Sequence, residues 1–254
     1  MQHDLERFYN ENPEELRLKA DGAQHLEFET AMRLMLRFLP DKADVLDSCA
    51  GTGRYAFELA KLGCRVTAGD IVQRNVELML AEQKKTPRLA EIYKGDALDL
   101  SRFGDESFDA VLLMGALYHL QREDDRLAAV KEALRVLRSG GLLIISYMNR
   151  YGVILCDSEG SLDNLDDIIR FAKDGREGVF YAATPEEMSA LISRCGFQIL
   201  SHAALDGMSG FMHRSAGLLN EQGFRRWEKY HTLTCEVQSL LGTSYHNIII
   251  SEKH

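Results

Sequence analysis

The sequence predicts a doubly wound α/β domain built on a mostly parallel sheet. Short apolar runs bounded by turns alternate with stretches of helical periodicity from Asp44 onward, which is typical of βαβ units. A small-residue loop joins the first of these runs to the next helix, and acids follow several of the runs. Open parallel sheets bind ligands at that position, outside the carboxyl ends of their strands.

The elements are predicted in chain order from these periodicities. A helix is expected from Asn12 to Leu39, because apolar residues recur at helical spacing until Pro40 stops it. The next predicted elements are the strand Asp44–Asp47 and helix Tyr55–Leu62, the strand Arg65–Asp70 and helix Val72–Lys84, the strand Ile92–Lys94, and the strand Ala110–Met114 and helix Glu123–Leu137.

The carboxyl-terminal half is predicted to continue the sheet. Gly140 and Gly141 form a turn that glycine makes without strain, and an apolar strand, Leu142–Tyr147, follows it. A helix opens at Thr184, a capping residue followed by proline and two acids. The remaining predictions are an irregular stretch over 149–182, a helix end at Cys195–Gly196, a strand Phe197–Ala203, a mainly helical region over 208–241 and a closing strand Tyr245–Ser251.

Composition limits the classes of protein to consider. The 254 residues, 45% of them hydrophobic, fit a single domain over 1–254, since no repeat or linker divides them. A net charge of −9 disfavours nucleic acid, and no apolar run is long enough to cross a bilayer, so we expect a cytoplasmic protein without a membrane segment. Five scattered cysteines without a C-x-x-C pair indicate neither a metal site nor a disulfide framework.

The loop after the first strand is the strongest local signal. In Asp47-Ser48-Cys49-Ala50-Gly51-Thr52-Gly53 the glycines permit a tight turn and close approach of a ligand to the main chain. Gly51-x-Gly53-x-x-Ala56 also satisfies the dinucleotide fingerprint. This loop alone therefore does not separate binding of a nicotinamide dinucleotide from binding of S-adenosylmethionine.

Three acids at strand ends favour S-adenosylmethionine. Asp70 can accept both ribose hydroxyls of an adenosine, which either cofactor offers. Asp47, however, would repel a pyrophosphate at the helix start, whereas the amine and sulfonium of S-adenosylmethionine are cationic and would be stabilised by it. Asp96, after the third strand, is placed to accept from the adenine amino group while Ala97 donates its backbone amide.

The sequence resembles the class I S-adenosylmethionine-dependent methyltransferases over most of its length, from about Asp44 to Ser251. The resemblance implies a Rossmann-like methyltransferase fold, a seven-stranded sheet whose last strand is antiparallel. It rests on VLDSCAGTGRYAFELA (45–60), VTAGDI (66–71), GDALDL (95–100), FDAVLLMGALYHL (108–120) and LRVLRSGGLLIISY (134–147).

The resemblance also implies roles for individual residues. Asp47 and the loop residues Ser48, Cys49, Ala50, Gly51 and Gly53 would hold the methionine portion, and Asp70 with Ile71 would bind the ribose and the adenine edge. Asp96 and Ala97 would bind adenine, Met114 would lie beside the cofactor, and Arg17 or Arg54 would pair with the cofactor's carboxylate. Cys49 departs from the family pattern, which has glycine there; at a positive φ the cysteine would cost about 1 kcal/mol.

Methyl transfer from a sulfonium is a direct displacement, so the protein mainly aligns the acceptor and excludes water. Candidate proton acceptors are His119 and Tyr118, which follow the fourth strand, and Tyr9 and Tyr147. His119 could equally orient its loop by bonding to backbone. We expect residues 1–30 and 149–182 to form a lid, and the insertion 208–241 to complete the pocket, mediate a dimer contact or simply pack in the core.

The predicted function is methyl transfer from S-adenosylmethionine, leaving S-adenosylhomocysteine, to a small-molecule acceptor that the sequence does not identify. The alternatives are a nicotinamide-dependent oxidoreductase and a non-catalytic S-adenosylmethionine-binding protein. The oligomeric state, monomer or homodimer, is left open. Replacing Asp70 by alanine is expected to weaken cofactor binding about tenfold or more at similar stability.

Overall fold

Nine strands form one sheet in the structure, a computed structural model that describes residues 2–11, 22–86, 88–157, 164–209, 212 and 219–254. The strands are β1 (Asp44–Asp47), β2 (Arg65–Asp70), β3 (Glu91–Lys94), β4 (Phe108–Met114), β5 (Leu137–Asn149), β6 (Arg176–Glu177), β7 (Phe180–Ala183), β8 (Phe197–Ala204) and β9 (His246–Lys253).

Nine α-helices surround the sheet in the described part of the chain. They are α1 (Gln2–Glu11), α2 (Gly22–Phe38), α3 (Arg54–Lys61), α4 (Gln73–Lys85), α5 (Glu123–Val136), α6 (Arg150–Asp157), α7 (Leu165–Asp174), α8 (Pro185–Arg194) and α9 (Glu221–Thr234). Two short 3₁₀ helices, Gly207–Ser209 and Gln238–Thr243, lie between β8 and β9.

Seven of the strands form the arrangement that the sequence predicts. Their order is β3-β2-β1-β4-β5-β9-β8. The first five strands in this order pair in parallel, while β9 is antiparallel to both β5 and β8. The doubly wound fold and the antiparallel last strand are therefore confirmed. The sheet is larger than predicted, because β7 pairs with the last two residues of β5 and forms a hairpin with β6.

Helices cover both faces of the sheet because alternate strand residues are apolar on each side. Leu46, Val111 and Ile145 pack on the face covered by α5 and α8, whereas their neighbours Val45 and Leu112 pack on the face covered by α2, α3 and α4. Strands that are apolar on both faces read as continuous apolar runs, which is why the sequence located them closely.

The prediction of an irregular stretch over 149–182 is wrong within the described residues. α6, α7 and the β6–β7 hairpin occupy it. Gly175 ends α7 at φ 68°, and Gly178 turns the hairpin at φ 55°, so these two glycines separate short regular elements.

The amino-terminal helix also differs from its prediction. A single helix from Asn12 was expected; the structure has α1 before that residue and α2 from Gly22, and residues 12–21 lie outside the described part of the chain. The pattern that identified the helix belongs to α2, where Ala31 and Met35 are fully buried.

The region 208–241 is mainly helical where it is described, as predicted. α9 begins at the Asn220 cap, and the Trp227 indole donates to the Ser209 hydroxyl at 2.8 Å. None of its described residues lines the cavity described below.

The five cysteines are all free, and within the described residues no helix combines the length and apolar character needed to span a membrane.

Candidate functional site

The loop between β1 and α3 is wedged between the neighbouring strands by backbone hydrogen bonds. The amide of Ser48 donates to the carbonyl of Leu112 on β4, and that of Ala50 to Gly69 on β2. Gly51 and Gly53 adopt φ values of 55° and 90°, in the left-handed region, whereas Cys49 does not. The substitution of cysteine for the family's glycine therefore carries no backbone strain.

Gly53 is required for packing rather than for contact with the cavity. A side chain at this position would meet the Phe57 ring at 2.9 Å and Met79 at 3.0 Å. Gly53 is absent from the residues that line the cavity and instead begins α3.

Asp70 links the loop to β2 and α4. Its Oδ2 accepts from the Gly51 amide at 2.7 Å, and its Oδ1 accepts from the Val72 amide at 2.8 Å and from the Asn75 side chain at 3.1 Å. The carboxylate thus has a structural role as well as a place in the cavity. The sequence-based expectation of similar stability for Asp70→Ala is therefore revised: we expect the variant to be less stable, because the Gly51 amide and the buried Val72 and Asn75 donors would lose this acceptor.

Asp47 lies at the end of β1 and is completely buried. The Cys49 amide approaches it and lowers its pKa slightly, but among the described residues neither carboxylate oxygen has a well-formed hydrogen bond. Burial, together with the nearby Asp70 carboxylate, raises the pKa of Asp47 to about 8. A buried carboxylate without a partner is costly, and a cation placed beside it would relieve that cost.

One cavity brings together most of the residues predicted to bind the cofactor. It lies at the carboxyl ends of β1 to β4. The predicted residues that line it are Asp47, Ser48, Cys49, Ala50, Gly51, Asp70, Ile71, Asp96, Ala97, Met114, Tyr118 and His119. Arg17 lies outside the described residues.

The Asp96 end of the cavity is shaped by a tight turn after β3. The Asp96 Oδ1 accepts from the Leu98 amide at 2.9 Å, which holds the carboxylate at the cavity wall beside Ala97. Tyr93 packs close to Gly69 and Gly95, and a side chain on either glycine would clash with its ring. Both glycines are therefore required for the packing of Tyr93.

His119 is tied on both sides by hydrogen bonds. Its Nε2 lies 2.8 Å from the Tyr9 hydroxyl, and its Nδ1 lies 3.3 Å from the Val179 carbonyl. This pattern assigns the proton to Nδ1 and makes Tyr9 the donor to Nε2. Burial lowers the pKa of His119 to about 4, so the imidazole is neutral at pH 7. These contacts fit the orienting role considered for His119 better than that of a proton acceptor.

Two other tyrosines that were considered lie in different places. Tyr118 lines the cavity beside His119, with ring centroids 4.7 Å apart. Tyr147 is buried in the core on the face of α5 and α8, where its hydroxyl bonds to the His202 ring at 2.8 Å and accepts from Asn247 at 3.0 Å. Strand alternation points it away from the cavity, so it is not a site residue.

The structure adds lining residues that sequence reasoning missed. They include Glu27 on α2, Asn75 on α4, Ser146 on β5 and His246 at the start of β9. Because β9 runs antiparallel, its first residue lies at the same sheet edge as the carboxyl ends of the parallel strands. Sequence reasoning considered only the carboxyl ends of strands and therefore missed His246, which lies at the amino end of β9. The one available signal was the antiparallel last strand that the family resemblance implies.

The two segments predicted to form a lid differ in their position relative to the cavity. Leu5 and Tyr9 of α1 line the cavity, whereas no described residue of 149–182 does. That segment supports the cavity wall from behind, since the Tyr181 amide donates to the Tyr118 carbonyl at 2.7 Å. The lid function itself stays a prediction.

Comparison with known proteins agrees with this geometry. A family model described as a methyltransferase domain matches residues 46–145. The chain is 32% identical over 184 residues to 2-phytyl-1,4-beta-naphthoquinone methyltransferase, a chloroplastic protein of Arabidopsis thaliana, covering 66% of this chain and 68% of the relative. It is 37% identical over 116 residues to demethylmenaquinone methyltransferase of Mycobacterium bovis, covering 45% and 44%.

Solved structures share the fold. A methyltransferase from Thermotoga maritima, described as a possible histamine N-methyltransferase, superposes with a TM-score of 0.64 at 21% identity over all of both chains. The sequence matches to the curated relatives span between 40% and 68% of their lengths. The family match over residues 46–145 contains the loops that follow β1 to β4.

Proposed function

Because the chain belongs to the S-adenosylmethionine-dependent methyltransferases, we propose that it transfers a methyl group to a small-molecule acceptor bound beside the cofactor. The observation that carries this proposal is the convergence of Asp47, Asp70 and Asp96 on one cavity. The Arabidopsis and mycobacterial relatives are named for quinone substrates, which supports a small acceptor.

The donor set fits S-adenosylmethionine. The carboxylate of Asp47, which has no well-formed hydrogen bond among the described residues, suits its ammonium group, and the Asp70 carboxylate in the same cavity suits a ribose hydroxyl. Asp96 and the Ala97 amide suit adenine. Arg54, whose guanidinium lies 4.0 Å over the Phe28 ring at the cavity wall, suits the carboxylate of the methionine portion.

Bound there, the cofactor supplies a methyl group activated by its positive sulfur. The chain's own residues bind the two reactants, align them and exclude water, and Met114 and Ser146 form part of the cavity wall. The cavity continues past the residues assigned to the cofactor to Tyr9, Tyr118 and His246, which favours an enzyme with an acceptor over a protein that only binds the cofactor.

Asp70→Asn tests the cofactor assignment. The variant is expected to weaken S-adenosylhomocysteine binding about tenfold or more, because charged hydrogen bonds to ribose contribute about 1.5 to 3 kcal/mol. Since Asp70 also holds the loop, we expect a lower melting temperature as well. Titration calorimetry measures the affinity at a temperature where both proteins are folded.

Asp99→Asn is the matched control, because Asp99 is exposed after β3 and lies outside the cavity. It should bind S-adenosylhomocysteine like the original protein. Equal affinity in folded Asp70→Asn would refute the ribose assignment. Binding of a nicotinamide dinucleotide without binding of S-adenosylhomocysteine would refute the proposed function.

A further inference from the structure

The cavity contains a group of side chains that the cofactor assignment leaves unused. Glu27, Tyr9, Tyr118 and His246 line the cavity together. Asp206, two residues beyond β8, contacts His246 from below the cavity surface. We propose, on the basis of the proposed function, that this group is the acceptor site for a protonated amine and that His246 removes its proton.

Asp206 fixes the position of His246. Its Oδ2 lies 3.3 Å from Nδ1 of the imidazole and accepts from the His246 amide at 3.1 Å. Its Oδ1 accepts from the Tyr245 amide at 2.8 Å and from the Ser244 hydroxyl. The buried carboxylate is thus held in place by several donors, and it in turn orients the ring.

The charges around the ring fix its tautomer. The Glu27 Oε2 also lies near Nδ1, at 3.7 Å. Two carboxylates beside Nδ1 favour a proton on that nitrogen, so the neutral imidazole carries its lone pair on Nε2. A ring whose first nitrogen is held by a carboxylate and whose second bears the lone pair has the arrangement of a general base.

The charge of the cavity selects the acceptor class. Four carboxylates line it, those of Glu27, Asp47, Asp70 and Asp96, against the single guanidinium of Arg54 among the described residues. The last three carboxylates are assigned to the cofactor, which leaves Glu27 to attract a cation. A phenolate forming beside Glu27 would be repelled, whereas an ammonium group would be stabilised.

Aromatic rings complete a site for a cation. Tyr118 lies with its ring centroid 6.4 Å from that of His246, and Tyr9 lines the same wall. The faces of tyrosine rings attract ammonium groups, most strongly in sites from which water is excluded. Carboxylate, imidazole and aromatic faces together match an ammonium group attached to an apolar body.

Methylation of a protonated amine requires that its nitrogen first lose a proton. A protonated amine gives one proton to Nε2 of His246, which becomes imidazolium beside Asp206 and Glu27. The nitrogen lone pair then forms a bond to the methyl carbon, and the electrons of the broken carbon–sulfur bond remain on sulfur. The product is a methylated ammonium ion, and the imidazolium afterwards releases its proton to water.

A divalent cation could also be held by Glu27, Asp206 and His246, since their ligand atoms lie within 4.8 Å of one another. Asp206, however, already uses both oxygens in hydrogen bonds to backbone and hydroxyl donors. Hydrogen bonding therefore accounts for the cluster, and the cation becomes an outcome that the experiment distinguishes.

The test uses the S-adenosylhomocysteine complex of the full chain and two probes of similar shape, phenethylamine and 2-phenylethanol. The amine is expected to bind about tenfold or more tightly than the alcohol at pH 7. Glu27→Gln should lower the preference for the amine over the alcohol about tenfold, while its affinity for S-adenosylhomocysteine stays the same. Glu29→Gln, exposed on the same helix, is the matched control and should keep the preference.

His246→Asn and His246→Gln test the proton transfer. Each should retain S-adenosylhomocysteine affinity, which also reports correct folding, but lower the turnover rate of methyl transfer to saturating phenethylamine about 100-fold or more. Equal affinity for the two probes would overturn the acceptor class, and unchanged transfer in both histidine variants would overturn the base. Loss of amine binding on EDTA treatment, restored by Mn²⁺, would reassign the cluster to a metal. Failure of the original protein to bind S-adenosylhomocysteine would instead overturn the proposed function.

Discussion

At the scale of single residues, Asp47 shows how a binding site can be recognised from an unfavourable group. Burial raises the pKa of its carboxyl group to about 8, which favours the protonated form near pH 7 when no cation lies beside it. A cationic ligand placed beside it favours the ionised form and lowers that pKa. The residue therefore couples ligand binding to proton release.

Calorimetry can detect that coupling. Titration of S-adenosylhomocysteine at pH 7 in buffers of different ionisation enthalpy should reveal release of a fraction of a proton, approaching one. Asp47→Asn has no proton to lose and should show heats nearly independent of the buffer. Buffer-independent heats in the original protein would contradict this account of Asp47.

At the scale of elements, α1 is joined to the cavity rim by a few side chains. Tyr9 bonds to His119, the Phe8 ring packs edge-on against Phe180 with centroids 5.1 Å apart, and Glu6 pairs with Lys94 at 3.2 Å. Contacts between partly exposed side chains can break locally without unfolding of the sheet. A lid that opens in this way stays a prediction.

Tyr9→Phe should loosen α1. Loss of one hydrogen bond should lower the free energy of local opening by about 0.5 to 1.5 kcal/mol. Tryptic cleavage after the exposed Arg7 should therefore become about two- to tenfold faster if local opening limits cleavage. Tyr230→Phe removes an exposed hydroxyl on α9 and serves as the control. An unchanged cleavage rate in Tyr9→Phe would show that this bond does not hold the helix.

The start of α8 offers a second test at this scale. Thr184 accepts from the Glu187 amide at 3.2 Å, and the Glu187 side chain accepts from the Thr184 amide at 3.0 Å, completing the capping box. Thr184→Ala should cost about 1 kcal/mol and lower the melting temperature by about 2 to 4 °C. Ser193→Ala, exposed near the end of the same helix, should change it far less.

At the scale of the whole molecule, three histidines link stability to pH. Burial lowers the pKa values of His119, His202 and His231 to about 4, below the usual value of 6.5. The unfolded chain therefore binds protons that the folded protein excludes as pH falls from 6.5 to 4. The stability that these neutral rings support is complete above pH 6.5 and is lost as pH decreases through that window.

Urea unfolding between pH 7 and 4.5 measures this effect. Each histidine should contribute a slope of as much as about 1.4 kcal/mol per pH unit. His231→Gln should reduce the pH dependence of the unfolding free energy by the contribution of one histidine, because the Nε2 of His231 is buried and has no hydrogen-bond partner among the described residues. The exposed His254→Gln should leave it unchanged. The same slope in both variants would contradict the assignment.

The sequence by itself determined the parallel core and the three acids at the carboxyl ends of its strands. Asp47 and Asp70 are the last residues of β1 and β2, and Asp96 lies two residues beyond β3, so chain order and apolar pattern locate them without knowledge of distant contacts. Local backbone preference also sufficed for the α8 cap. It did not suffice for 149–182, where the elements are too short to show a clear period.

Only the tertiary structure decided which residues come together at the proposed acceptor site. Glu27, on a helix before the first strand, meets His246 near the end of the chain because β9 enters the sheet antiparallel beside β5. Tyr147, adjacent to a cavity residue in sequence, is excluded because the alternation of β5 turns it to the other face. A strand's direction and its neighbours are set by packing over the whole sheet, and these decide where a side chain such as His246 lies.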